Sequence, residues 1–257
     1  MSKQPLILVS NDDGIQSPGI LSLAQAMRPL GDTRVVAPDT ERSAVGHAIT
    51  ISHPLRVMEF EREGKFFGHA INGTPADCVK LGVRAILERE PDLVVSGINH
   101  GANTGINVLY SGTVSAAKEG TILGIPSIAF SMTAFKHSTD MSAAREVATL
   151  IASRVLENGL PEGTLLNVNI PPVPREEIRG IKVTEQGNGR FQEVFEKRID
   201  PMNRVYYWLG GTKMTLDTDE RMDEVATDNS WISVTPLHYD LTHREMIPTL
   251  EKWNLKF

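Results

Sequence analysis

From residue 6 to residue 171 the chain alternates short apolar runs with longer segments of helical period, and that alternation sharply limits its possible folds. LILVS (6–10), RVVAP (34–38), DLVVSG (92–97), IPSIAFSM (125–132) and LLNVNIP (165–171) read as strands, with FFGHAI (66–71) and residues 48–61 as further extended structure. ILSLAQAMRPL, which stops at Gly31, and TVSAAKEGTIL read as helices. Residues 142–156 form an amphipathic helix with Val147, Leu150, Ile151 and Val155 on one face. Thr74 and Pro75 open another, with a capping hydroxyl, proline at the first helical position and Asp77 in the first turn. Val79, Val83, Ile86 and Leu87 give it an apolar stripe. Strands separated by helices of about ten to fifteen residues build βαβ units around a mainly parallel sheet. The expected fold class is α/β, a three-layer α/β/α Rossmann-like arrangement.

After PPVP (171–174) the texture becomes β-rich and irregular. Residues 1–189 are therefore expected to form the α/β core of a single domain, and residues 190–257 an appendage of hairpins and a terminal helix. One hairpin carries Val205, Tyr207 and Leu209 on one face and Tyr206 and Trp208 on the other. A lone hairpin is marginal in water, so a second subunit is its expected partner.

Composition narrows the function classes. The 257 residues carry a net charge of −6, which gives no reason to expect binding to a nucleic-acid polymer. The single cysteine, Cys78, lies in an amphipathic helix and is expected in the core; alone it can build neither a disulfide framework nor a thiolate metal cluster. No apolar stretch reaches the roughly 18 residues of a membrane span. MSKQPLILVSNDDG lacks the basic and apolar regions of a signal peptide, so a cytoplasmic location is expected.

In an open parallel sheet, ligands bind at the carboxyl ends of the strands. Three strand ends here carry unusual polar loops: NDDG after LILVS, DTERSAVGH after RVVAP, and INHGANTGINVLYSGT after LVVSG. Adjacent carboxylates at Asp12 and Asp13 repel each other, and a divalent cation facing both relieves that repulsion. Ser43 and Asn99 would add a hydroxyl and an amide oxygen from the other two loops. Such an all-oxygen set suits one Mg²⁺ or Mn²⁺ with waters completing the shell. NDDG alone leaves a plainer reading open, an Asx turn whose acids cap the following helix.

Glycines 97, 101, 105, 112 and 120 make the third loop and its helix permissive of close backbone approach. Ser111, Gly112 and Thr113 stand where that helix begins, so free amides and the helix dipole make an anion site there, with Thr113 as a possible cap. No GxGxxG opens the first βα turn and no GxxxxGK[ST] occurs, which disfavours dinucleotide and Walker-type readings.

Taken together, SNDDG followed by Pro18-Gly19, APDTERSAVGHAIT, NGTPADCVKLG, VVSGINHGANTG, YSGTVSAAKEG and ISVTPLHYDLT resemble, in order along nearly the whole chain, the SurE family of survival-protein nucleotidases. The resemblance implies a metal-dependent phosphatase that releases phosphate from nucleoside monophosphates, as a 5′-nucleotidase with possible 3′-nucleotidase and exopolyphosphatase activity. It implies one divalent ion on Asp12, Asp13, Ser43 and Asn99, and a phosphate pocket of Asn99, Gly101, Asn103, Ser111, Gly112 and Thr113. It also implies C-terminal arms exchanged between subunits in a homodimer or homotetramer. One departure lies in the tail: the family pattern has glycine before the aromatic preceding SVTPL, where this chain has Ser230-Trp231.

The expected chemistry is in-line attack of a metal-activated water on a phosphate monoester, with Asp12 or Asp13 handling the water's proton. His100 is a candidate proton donor to the leaving group. Two alternatives differ in class. An aspartyl-phosphate phosphatase needs a second acid two positions after its nucleophile, whereas these acids are adjacent. A non-catalytic nucleotide sensor would use the same glycine loop without turnover.

Overall fold

The computed structural model describes residues 4–134 and 140–257. Strand β1 (Leu6–Ser10) is buried along its whole length because LILVS is apolar towards both faces: Ile7 and Val9 enter one core, Leu8 the other. Strands β2 (Asp32–Pro38) and β5 (Leu93–His100) flank it, both parallel. Beyond β2 lie β4 (Lys65–Ile71), parallel, and β3 (Val57–Arg62), antiparallel at the edge. Beyond β5 follow β6 (Ser127–Met132) and β7 (Thr164–Ile170), both parallel. The remaining strands are β8 (Gly180–Val183), β9 (Arg190–Ile199), β10 (Val205–Met214) and β11 (Trp231–His238). Nine of these strands form one sheet in the order β3-β4-β2-β1-β5-β6-β7-β11-β8.

Helices cover both faces, as the alternation requires. Helices α1 (Pro18–Met27) and α4 (Ser142–Asn158) pack over the core that holds Ile7, Val95 and Phe130. On the other face α2 (Pro75–Leu81) and α3 (Gly112–Ile122) pack against each other and over Leu8, Val36 and Val94. Cys78 is fully buried there. Thr74 caps α2 in a reciprocal capping box, its hydroxyl accepting from the Asp77 amide while the Asp77 carboxylate accepts from the Thr74 amide.

Several local expectations need correction. The stretch 48–61 becomes a strand only from Val57, because segment 48–50 is instead tied to α2: Thr74 donates to the Ala48 carbonyl and Thr50 to Asp77. Helix α2 ends at Leu81 and gives way to a wide turn over Gly82–Ile86, which carries Val83 and Ile86 of the predicted stripe, while Leu87 beyond it is extended. On α4, Leu150 is 44% exposed; the buried face is Ala144, Val147, Ala148, Ala152 and Val155, whose small side chains let the helix sit close.

The largest correction concerns the tail. Strand β11 returns into the main sheet between β7 and β8, with Ile232 and Val234 buried, so residues 231–238 belong to the core layer and not to an outlying arm. Helix α5 (Asp223–Asp228) packs against it, while α6 (Ile247–Glu251) near the chain end is exposed. What stands apart is the antiparallel β9–β10 hairpin, in register from Val205 opposite Ile199 to Met214 opposite Arg190.

Candidate functional site

Strand β1 is the switch point of the sheet: the chain continues to β2 on one side and to β5 on the other. The loops leaving the carboxyl ends of β1, β2 and β5 diverge there and leave a crevice between them. That crevice is a cleft of about 330 Å³ lined by Asp12, Asp13, Glu41, Ser43, Asn99, His100, Asn103, Asn107, Tyr110 and Ser111, among others.

Asn11 sets the first loop. Its side-chain amide donates to the Gly14 carbonyl at 3.0 Å and to Ser17 Oγ at 2.9 Å, and Gly14 turns the chain at φ +89°. Ser17 caps α1 by accepting from the Ile20 amide. The two acids therefore do not cap this helix, and the plainer reading of NDDG falls.

Asp12 is 5% exposed. Its carboxylate meets the N-terminus of α3, where both the hydroxyl and the backbone N–H of Thr113 donate to it. A side chain at position 112 would lie 2.7 Å from Asp12 Cβ, so Gly112 is what lets helix and acid approach. Burial, reinforced by the Asp13 charge and opposed by Thr113, pushes the Asp12 carboxyl up to about 6. Asp13 is less buried, with His100 Nδ1 standing 3.7 Å from its Oδ2.

From the second loop, Ser43 is exposed and donates to Glu41 Oε1 at 2.6 Å, which leaves its oxygen lone pairs available. On the third, the Asn99 amide nitrogen donates to the Gly101 carbonyl at 2.9 Å and leaves the amide oxygen available as an acceptor. Among the described residues, those lining the cleft include three acids and no lysine or arginine. An anionic ligand would meet uncompensated negative charge in such a cleft unless a cation came with it. The donors are all oxygens, two of them carboxylates, and fit a hard divalent ion.

The residues expected to bind phosphate divide in two. Asn99, Asn103 and Ser111 line the cleft, whereas Gly101, Gly112 and Thr113 are buried behind its wall. The Gly101 amide is spent on the Met132 carbonyl at 2.9 Å. Thr113 serves Asp12, and the cap of α3 is Ser111, whose hydroxyl accepts from Val114. Thus the helix dipole first stabilises the carboxylate of Asp12.

Sequence reasoning passed over a buried asparagine network beneath the site. The Asn103 amide donates to Asn169 Oδ1, its carbonyl accepts from Asn167 and Asn169, and its side chain donates to Ser131. The signal was present in LLNVNIP, where two asparagines break an otherwise apolar strand. Glu41, Asn107 and Tyr110 on the cleft wall carried no comparable signal.

Known proteins resemble this chain along nearly its whole length. Residues 7–193 match the family model described as Survival protein SurE. A protein of Syntrophobacter fumaroxidans named 5′-nucleotidase SurE is 53% identical over 97% of this chain and 99% of its own. One of the same name from Chlorobium luteolum is 48% identical over 99% and 98%. The crystal structure of SurE protein from Aquifex aeolicus superposes with a TM-score of 0.85 at 45% identity, covering 98% of this chain and all of that one. This chain belongs to the SurE family.

Proposed function

We propose that this chain is a metal-dependent phosphomonoesterase that hydrolyses nucleoside monophosphates to nucleoside and phosphate, a 5′-nucleotidase. The observation that carries the reading is the acidic cleft at the switch point of the sheet, lined among the described residues by no lysine or arginine, in a family whose relatives bear that name. Asp12, Asp13, Ser43 and Asn99 would hold one divalent ion, Mg²⁺ or Mn²⁺ by the hardness of the donors. When bound, that ion would neutralise phosphate charge and acidify a water.

The chain's own residues divide the remaining work. Asp12 is fixed by Thr113 and serves as an anchored ligand. Asp13 is the base for the attacking water, because it lines the cleft and is less buried than Asp12, with His100 Nδ1 beside its carboxylate. His100 then relays a proton towards the leaving alkoxide. Asn99, Asn103 and Ser111 offer polar groups to the equatorial phosphate oxygens. The β9–β10 hairpin, exposed on both faces and rich in apolar side chains, is the arm through which two or four subunits join. Among the described residues no helix is long and apolar enough to cross a membrane, and a cytoplasmic location is the proposal.

The test is phosphate release from a panel of 5′ and 3′ nucleoside monophosphates and short polyphosphate, after chelation and with single divalent ions restored. Asp12→Asn and Asp13→Asn should each lower release by about three orders of magnitude while circular dichroism stays unchanged, since several kcal/mol of transition-state stabilisation depend on the ion. Near-normal turnover in both variants would refute the metal set. Nucleotide binding without any phosphate release by the parent chain would favour the sensor alternative.

A further inference from the structure

One buried carboxylate near the cleft takes no part in the chemistry above. Glu119, on α3 two turns below the capping Ser111, is only 2% exposed. It receives two partners from two different elements: His47 Nε2 lies 2.9 Å from its Oε2, and Lys80 Nζ from α2 lies 2.6 Å from its Oε1. Burial alone would raise its carboxyl, yet the bonds from His47 and Lys80 outweigh burial and hold it below its ordinary value. Glu119 is therefore ionised and paired.

His47 belongs to the loop that carries Ser43. That loop is exposed over residues 43–45 and enters the left-handed region at Ala44, φ +55°, a conformation a non-glycine residue keeps only where its surroundings enforce it. The enforcing contacts can be named. On the near side the Arg42 amide donates to the Asp12 carbonyl at 2.7 Å. On the far side the Gly46 amide donates to the Tyr110 carbonyl at 3.0 Å, and His47 reaches down to Glu119. The two backbone bonds fix single points, while the His47–Glu119 contact is the side-chain anchor that ties the exposed turn to α3. Helix α3 also holds Asp12 through Thr113, so one rigid element sets both Asp12 and the Ser43 turn.

We infer that Glu119 is a positioning residue for the cation site, holding His47 and through it the turn that presents Ser43. The inference rests on the proposed metal set and adds to it a buried lever outside the cleft. Partners behind metal ligands commonly tune affinity by about ten- to a hundredfold.

The experiment titrates Mn²⁺ into the metal-free full-length chain and follows the free Mn²⁺ resonance, so that affinity is read without turnover. His47→Leu should weaken binding about tenfold. His47→Gln, whose amide nitrogen can donate from nearly the same position, should recover most of that loss. Ser43→Ala should weaken binding by itself, and Ser43→Ala with His47→Leu should bind no more weakly than Ser43→Ala alone. Glu119→Ala should match His47→Leu; if it fails to fold, the His47 pair decides. Wild-type affinity in His47→Leu, or an equal loss from His47→Leu in the Ser43→Ala background, would overturn the inference while leaving the metal set intact. Wild-type affinity in Ser43→Ala would overturn both.

Discussion

The two ends of this molecule treat their side chains in opposite ways. At the carboxyl edge of β1, β2 and β5, named partners within the chain hold the polar groups: Asp12 by Thr113, Asn103 by Asn167, Asn169 and Ser131, and His47 by Glu119. Along β9 and β10 nearly every residue is exposed, and the face bearing Phe195, Ile199, Val205, Tyr207 and Leu209 is largely apolar, broken by Lys197 opposite Tyr207. Preorganisation of a site asks for internal anchors. An apolar two-stranded ribbon without a core beneath it asks for an external one. The first region can thus be understood from one copy of the chain, and the second cannot.

That contrast can be broken experimentally. The largest effect is expected from Phe195→Lys with Leu209→Lys, which places charge on opposite strands of the apolar face. With the hairpin as the proposed arm, sedimentation should show monomers where the parent chain sediments as an oligomer, while the melting of the α/β core moves by no more than a few degrees. An unchanged assembly would remove the hairpin from the interface.

A smaller effect is expected inside the core. Asp77 is 3% exposed and accepts from Thr50 and Thr74 at once, so Asp77→Ala should cost about 2 kcal/mol in urea unfolding. Burial raises the Asp77 carboxyl, but the bonds from Thr50 and Thr74 prevail and leave it below its ordinary value. The unfolded chain therefore takes up this proton first. Its contribution is complete above the ordinary carboxylate range and is lost as pH falls below about 4. Asp77→Asn should flatten that part of the stability curve; an unaltered acid limb would reject the assignment.

The smallest effect is expected at Ser230, which sits at φ +61° just before β11. Serine in this region is strained, whereas glycine adopts it without a Cβ penalty. Ser230→Gly should stabilise the fold by up to about 1 kcal/mol, since relief of strain is offset in part by the entropy of a freer unfolded chain. A loss of stability would mean that the serine side chain has a role of its own.

Much of this was legible in the residues, for identifiable reasons. Apolar runs such as LILVS announced buried strands because burial on both faces leaves no polar alternation. Thr74, Pro75 and Asp77 announced a helix start because capping is local chemistry. The acid pair marked the cleft because it stands just after β1, at the switch point of the sheet. What could not be read was non-local. Nothing in WISVTPLH says that it will insert beside β7, some sixty residues earlier in the chain. Thr113 lies in the expected anion turn, but only the packing of α3 against the β1 loop turns its hydroxyl and amide to Asp12. Leu150 has the period of a core residue and is displaced from the core by the alanines beside it.

The central claim is that the acid pair, Ser43 and Asn99 form one divalent-cation site on which phosphate release depends. It is tested most directly by titrating Mn²⁺ or Mg²⁺ into the chelated protein while measuring ion binding and phosphate release from a nucleoside monophosphate together. The account predicts one ion per chain and a release rate that rises with occupancy of that site, with both signals lost in Asp13→Asn. Phosphate release that persists after chelation, or ion binding that survives in Asp13→Asn with wild-type affinity, would contradict it.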